Sequence, residues 1–115
     1  MSFKLAIGNV VEVPVRFTLA DNGRPRAFSF TITATLMALP ELRALLDADN
    51  AQTKDEFMRD KVLGWKGQTL VLDEDNAPAP FSLDALDAMF SVIGVGGVVF
   101  DAYLEACGAK GKKGN

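Results

Sequence analysis

From Val11 to Leu36 apolar and polar residues alternate. Val11, Val13, Val15, Phe17 and Leu19 fall on one side, with Glu12, Pro14, Arg16 and Thr18 on the other. Phe28, Phe30, Ile32, Ala34 and Leu36 then share a side, opposite Ser29, Thr31, Thr33 and Thr35. A period of two is the pattern of half-buried strands. Asn22-Gly23 lies between the two runs and predicts a two-residue hairpin turn, in which both central residues need φ > 0. A turn there pairs Asp21 with Arg24, Phe17 with Phe28, Val15 with Phe30 and Val13 with Ile32. Every apolar residue then meets an apolar partner, which a one-residue slip would destroy. Pro14 and Pro25 fall at non-hydrogen-bonded pairs, where a missing N–H takes nothing from the ladder. Lys4 to Ile7 is read as a third, shorter strand.

After Leu39 the period becomes helical. Pro40 suits a first turn, Leu42, Leu45 and Leu46 form a stripe, and Asp47 to Asn50 end the helix. Thr53-Lys54-Asp55-Glu56 reads as a capping box opening a helix through Phe57, Met58 and Val62 to about Gly64. Thr69 to Leu72 suits a short strand, and Asp73-Glu74-Asp75-Asn76 with Pro78 and Pro80 a turn-rich loop. Ser82 is a good N-cap, with Phe81 and Leu86 placed as a hydrophobic staple, for a helix bearing Leu83, Leu86, Met89 and Phe90. Gly94 to Gly97 breaks it, and a last helix runs from about Val95 to Cys107. The whole predicts an α+β fold in a single domain, residues 1–115. An N-terminal antiparallel β-hairpin or small sheet (1–38) packs on a C-terminal helical part of about four helices (39–107). Residues 108–115 are expected to be a mobile tail.

The last helix is apolar on two sides. Val95, Val98, Val99, Ala102 and Ala106 follow the spacing of one buried face, while Phe100, Tyr103, Leu104 and Cys107 make a second stripe. Such a helix is either wrapped by the rest of the chain or offered to a partner. A domain of this size buries only about two thirds of the surface of its unfolded chain, which favours the partner.

Composition narrows the chemistry. The chain has 115 residues, 49% hydrophobic and 23% charged, which is globular composition. Its net charge of −3 argues against a phosphate-binding surface over the whole domain, and nucleic acid is not expected as a partner. With no histidine the commonest general base and metal ligand are missing. Cys107 is the only cysteine, so neither an internal disulfide nor a cysteine zinc cluster can form. The apolar run from Ala88 to Phe100 is shorter than the ~20 residues of a membrane span, and Met1 to Val10 lacks a signal-peptide pattern, so a soluble, intracellular protein is expected.

Individual motifs point the same way. Asp73-Glu74-Asp75 lacks the glycine and closing glutamate of a calcium loop. Gly94, Gly96 and Gly97 resemble a nucleotide-binding turn, but Val99 stands in place of its third glycine and close helix packing suits them better. No Ser-x-x-Lys is present, and Cys107 reads as a small core residue. No catalytic, cofactor or metal site is therefore predicted. Trp65 is either a packing anchor or an exposed contact, and Lys110, Lys112 and Lys113 form a small basic terminus.

The second half has a familiar look. Lys61-Val62-Leu63-Gly64-Trp65, then Asp73-Glu74-Asp75-Asn76-Ala77-Pro78-Ala79-Pro80-Phe81-Ser82, a Leu-rich helix and a Tyr-bearing closing helix with a Lys/Gly-Asn ending resemble small tail assembly chaperones of long-tailed phages and prophages. Asn76-Ala77 stands where Asp-Gly or Asn-Gly is more typical, and the resemblance covers roughly Asp60 to Asn115. It implies a non-enzymatic protein of the host cytoplasm, absent from the mature virion. Such a protein binds the tape measure protein, with the tail tube protein a further partner, and keeps it soluble while tube subunits polymerise. It also implies a longer frameshifted product, because Gly111-Lys112-Lys113 can be encoded by a run on which bacterial ribosomes slip. Trp65, Phe100, Tyr103, Leu104, Lys110, Lys112 and Lys113 are the expected partner contacts, for a client or for self-association. The rival expectation is a structural tail or head–tail adaptor subunit that stays in the particle.

Overall fold

The computed structural model describes residues 4–46 and 54–109. Strands β1 (Val10–Asp21) and β2 (Arg24–Thr35) meet at Asn22-Gly23, whose φ angles of 53° and 81° are both positive, as the tight turn demands. Their register is the expected one, with Asp21 facing Arg24, Phe17 facing Phe28, Val15 facing Phe30 and Val13 facing Ile32. Phe17 lies tilted against Phe28 and edge-on to Phe30, at centroid distances of 5.7 and 5.9 Å.

The third strand differs from expectation. Residues 4–7 are not a strand, and Leu5 and Ile7 lie exposed. Instead helix α2 (Lys54–Lys61) passes directly into β3 (Val62–Lys66), which pairs antiparallel with β2 to give the order β1-β2-β3. The expected helix therefore stops three residues before Gly64. Gly64 pairs with Thr33 and Val62 with Ala34, so Leu63 is an extra, bulged residue and is exposed. The bulge lets Val62 and Trp65, three apart, both face the core side with Ala34 and Ile32. A spacing of three is helical in appearance, and only the open edge of β2 turns it into a strand.

Four helices cover the apolar sheet face: α1 (Leu39–Leu46), α2, α3 (Leu83–Phe90) and α4 (Val95–Cys107). The end expected for α1 at Asp47 to Asn50, and the capping residue Thr53, lie outside the described residues. Ser82 caps α3, accepting from the Ala85 N–H at 3.0 Å. α3 and α4 meet at 110° through Gly94, which has a φ of 90°. Val13, Val15, Phe30, Ile32 and Ala34 of the sheet pack with Phe57 and Met58 of α2, Leu86 and Met89 of α3, and Val95, Val99, Phe100 and Tyr103 of α4. The fold is α+β with one continuous core. Beyond that core the hairpin continues, and every residue from Ala20 to Ala27 is exposed.

Between β3 and α3 the chain forms a closed loop. Only an isolated bridge, Leu72 to Pro78, stands where a short strand was expected. Asp73 organises its tip, its carboxylate accepting from the Asp75 and Ala77 N–H groups at 2.9 and 3.0 Å. Asn76 has a φ of 61°, so it takes the left-handed position that a glycine would fill.

Candidate functional site

α4 is held in one rotation by its aromatic residues. Phe57 of α2 stands edge-on to both Phe100 and Tyr103, with centroids 5.9 and 6.0 Å apart. The Tyr103 hydroxyl donates to the Thr35 carbonyl oxygen at 2.5 Å, closing a gap of 68 residues in the chain. Burial, and then the Cys107 thiol beside it, push the Tyr103 hydroxyl well above the usual tyrosine range, so it stays protonated and keeps donating.

This divides the second stripe of α4. Phe100 and Tyr103 are core residues, 4% and 0% exposed, which corrects their expected role as partner contacts. A helix with two apolar sides gives no indication of which lies inside, and here the α2 aromatic and the Thr35 carbonyl claim this one. Leu104 and Cys107, one turn further on, stay half-buried. They face Met37, Ala38, Leu39 and Leu42 across an apolar groove of about 220 Å³ that ends at Gly108. Leu39 on its rim is 56% exposed.

The groove wall is tied in place by charge. Lys61 at the end of α2 donates to the Glu41 carboxylate, and Glu41 also accepts from the Ala38 N–H at 3.3 Å. The Lys61 bond first, and then that backbone bond, hold the Glu41 carboxyl below the ordinary glutamate range.

Trp65 is a packing anchor. Its indole N–H donates to the Ala79 carbonyl oxygen at 3.1 Å, and its ring meets Phe81 edge-on at 5.3 Å. Gln68, which sequence reasoning passed over, completes the loop. Its amide donates to the Val71 and Ala79 carbonyl oxygens and accepts from the Val71 N–H. Gln68 is the buried polar side chain among the described residues, and nothing in the sequence around it marks it out. Lys110, Lys112 and Lys113 lie outside the described residues.

The glycine-rich start of α4 is a close packing point. A Cβ on Gly96 would stand 1.8 Å from an Asp55 carboxylate oxygen, so that carboxylate lies where a phosphate would have to approach. A second cleft, of about 300 Å³, runs beside it between α2 and α3, with Arg59 paired to Asp87 at 3.0 Å within its lining. Among the described residues no group of three or more His, Cys, Asp or Glu side chains is placed to hold a metal ion. No single helix among them is long and apolar enough to cross a membrane.

Comparison with known proteins finds no matching family model, no matching curated protein and no matching solved structure.

Proposed function

We propose that this chain is a non-enzymatic tail assembly chaperone of a phage or prophage, acting in the host cytoplasm, that binds the tape measure protein and keeps it soluble during tube assembly. The observation that supports the reading best is the groove between α1 and the end of α4. Its lining is apolar, from Met37, Leu39 and Leu42 on one side to Leu104 and Cys107 on the other, which is the chemistry that takes the apolar stripe of an amphipathic client helix. The resemblance over Asp60 to Asn115 supplies the identity of that client. In the structure two of its pieces touch: the tryptophan of β3 donates to the Ala79 carbonyl oxygen beyond the acidic turn and meets the Phe81 ring at the start of α3.

Leu39→Ser with Leu104→Ser tests the reading. Co-expressed with the tape measure protein, the wild type should keep that client in the soluble fraction and the double variant should release it to the pellet. A client equally soluble with both variants sinks the proposal. The projecting hairpin favours a second reading, a structural tail or adaptor subunit that clasps its neighbour and stays in the particle. Mass spectrometry of purified virions separates the two, since only the structural subunit remains there.

A further inference from the structure

Four large apolar side chains lie exposed at one end of the sheet. Leu5, Ile7, Val10 and Leu39 are 75%, 65%, 53% and 56% exposed. Val10 pairs with Thr35, where β1 begins and β2 finishes, and the other three lie close to that pair along the chain. The Asn9 carbonyl oxygen accepts from the Leu36 N–H at 2.7 Å, beside Met37 in the wall of the groove. The segment that carries Leu5 and Ile7 is thus rooted at the lip of the groove.

Segment and groove match in chemistry. Leu5 and Ile7 are two apart, so an extended chain presents both on one side, with Lys4 and Ala6 on the other. Phe3 continues that spacing in the sequence. The groove encloses about 220 Å³ between Met37 and Leu39 on one side and Leu104 and Cys107 on the other. A cavity of about 150 Å³ takes a benzene ring, so the groove has room for a branched aliphatic side chain. The chain does not fill its own groove. It bends at Ala6, Ile7 and Asn9, and the Leu5 and Ile7 side chains stay on the surface.

We propose that a second copy fills it: residues 4–7 of each copy lie in the groove of the other, with Leu5 and Ile7 against Met37, Leu39 and Leu104. A two-fold dimer needs one patch that carries both halves of the contact, and here the donor segment and the acceptor groove share a lip. Leu5 is four residues from Asn9, a reach of up to about 13 Å, which crosses from lip to lip where two sheet ends abut. Under the proposed function a client has to displace this segment. The dimer itself rests on the groove and the segment, not on the identity of the client, so either proposal can fail alone.

The test uses the full chain with no client present. Sedimentation equilibrium between about 1 μM and about 0.5 mM should show monomer passing to dimer and no further. Leu5→Ser with Ile7→Ser should raise the dissociation constant by roughly tenfold or more. Both positions are exposed, so this variant should keep the wild-type thermal midpoint in dilute solution. Cys107, the only cysteine, then locates the contact. On oxidation, Leu5→Cys should give a dimer closed by disulfides from residue 5 of one copy to Cys107 of the other, identified by peptide mass spectrometry. A wild type that stays monomeric at about 0.5 mM overturns the proposal. So does a dimer that Leu5→Ser with Ile7→Ser leaves intact. A link from residue 5 to Cys107 within one chain assigns the segment to its own groove, and overturns the second copy as occupant.

Discussion

Gly96 and Asp55 show how one missing methyl group joins two helices. The first N–H groups of α4 have no partner within the helix, and a carboxylate is favoured near them. Asp55 reaches this position only because Gly96 has no side chain. Exchanging glycine for alanine in a helix ordinarily gains up to about 1 kcal/mol. Here Gly96→Ala should instead lower stability in urea unfolding, and should become stabilising once Asp55→Ala is also present. Additive effects of the two changes would show that the carboxylate does nothing for α4. Tyr103 makes a second such link. Tyr103→Phe leaves the Thr35 carbonyl without its donor and should cost about 1–3 kcal/mol. The raised hydroxyl pKa fixes the direction of its pH dependence: the native state retains a proton that the unfolded chain begins to release near pH 10. Stability should therefore fall as the pH rises above that value, and fall less steeply in Tyr103→Phe.

Elements differ in how legible they were. The hairpin was fully readable, because its pairing is local and Asn22-Gly23 leaves one register in which the apolar faces coincide. Gly23→Val, at a φ of 81°, should destabilise the fold by about 1 kcal/mol or more, measured by thermal unfolding. Strand β3 was not readable. Val62 and Trp65 continue the spacing of α2, and their pairing partner lies some thirty residues earlier in the chain. The groove was half readable for a related reason. Leu104 and Cys107 were marked as apolar, but Met37 and Leu39 follow the end of the strand pattern with no period of their own. Phe100→Ser should thus unfold the protein by removing an aromatic from the core, a loss of about 3–5 kcal/mol by the precedent of large-to-small changes. Leu104→Ser, at a half-buried position packed against the core from outside, should cost distinctly less than Phe100→Ser and, under the proposed function, act mainly on client binding. Equal losses from both would place Leu104 in the core as well.

The molecule as a whole is one core with two extremities, the groove end and the projecting hairpin. At the groove end the position of α1 depends on the Lys61–Glu41 pair, part-exposed and worth on the order of 0.5 kcal/mol. The Glu41 carboxyl is held low, so its contribution is present above the ordinary glutamate range and is lost as the pH falls through the depressed value. Glu41→Gln should remove that part of the acid limb from a stability profile, visible as a flatter midpoint-against-pH curve below pH 5. The covering of the sheet has a consequence for synthesis. Strands β1 and β2 are complete once Thr35 has been made, and a hairpin closes within about 1–10 μs. Their apolar face is sealed by α4 and by the Tyr103 hydroxyl, which follow about seventy residues later. At roughly 5–20 residues per second, a ribosome holds that finished hairpin, with Val13, Val15, Phe30 and Ile32 bare, for roughly 4–14 s. During that interval the nascent chain is itself in need of a cover, and the outward-facing Pro14 keeps neighbouring hairpins on a polysome from zipping together along β1.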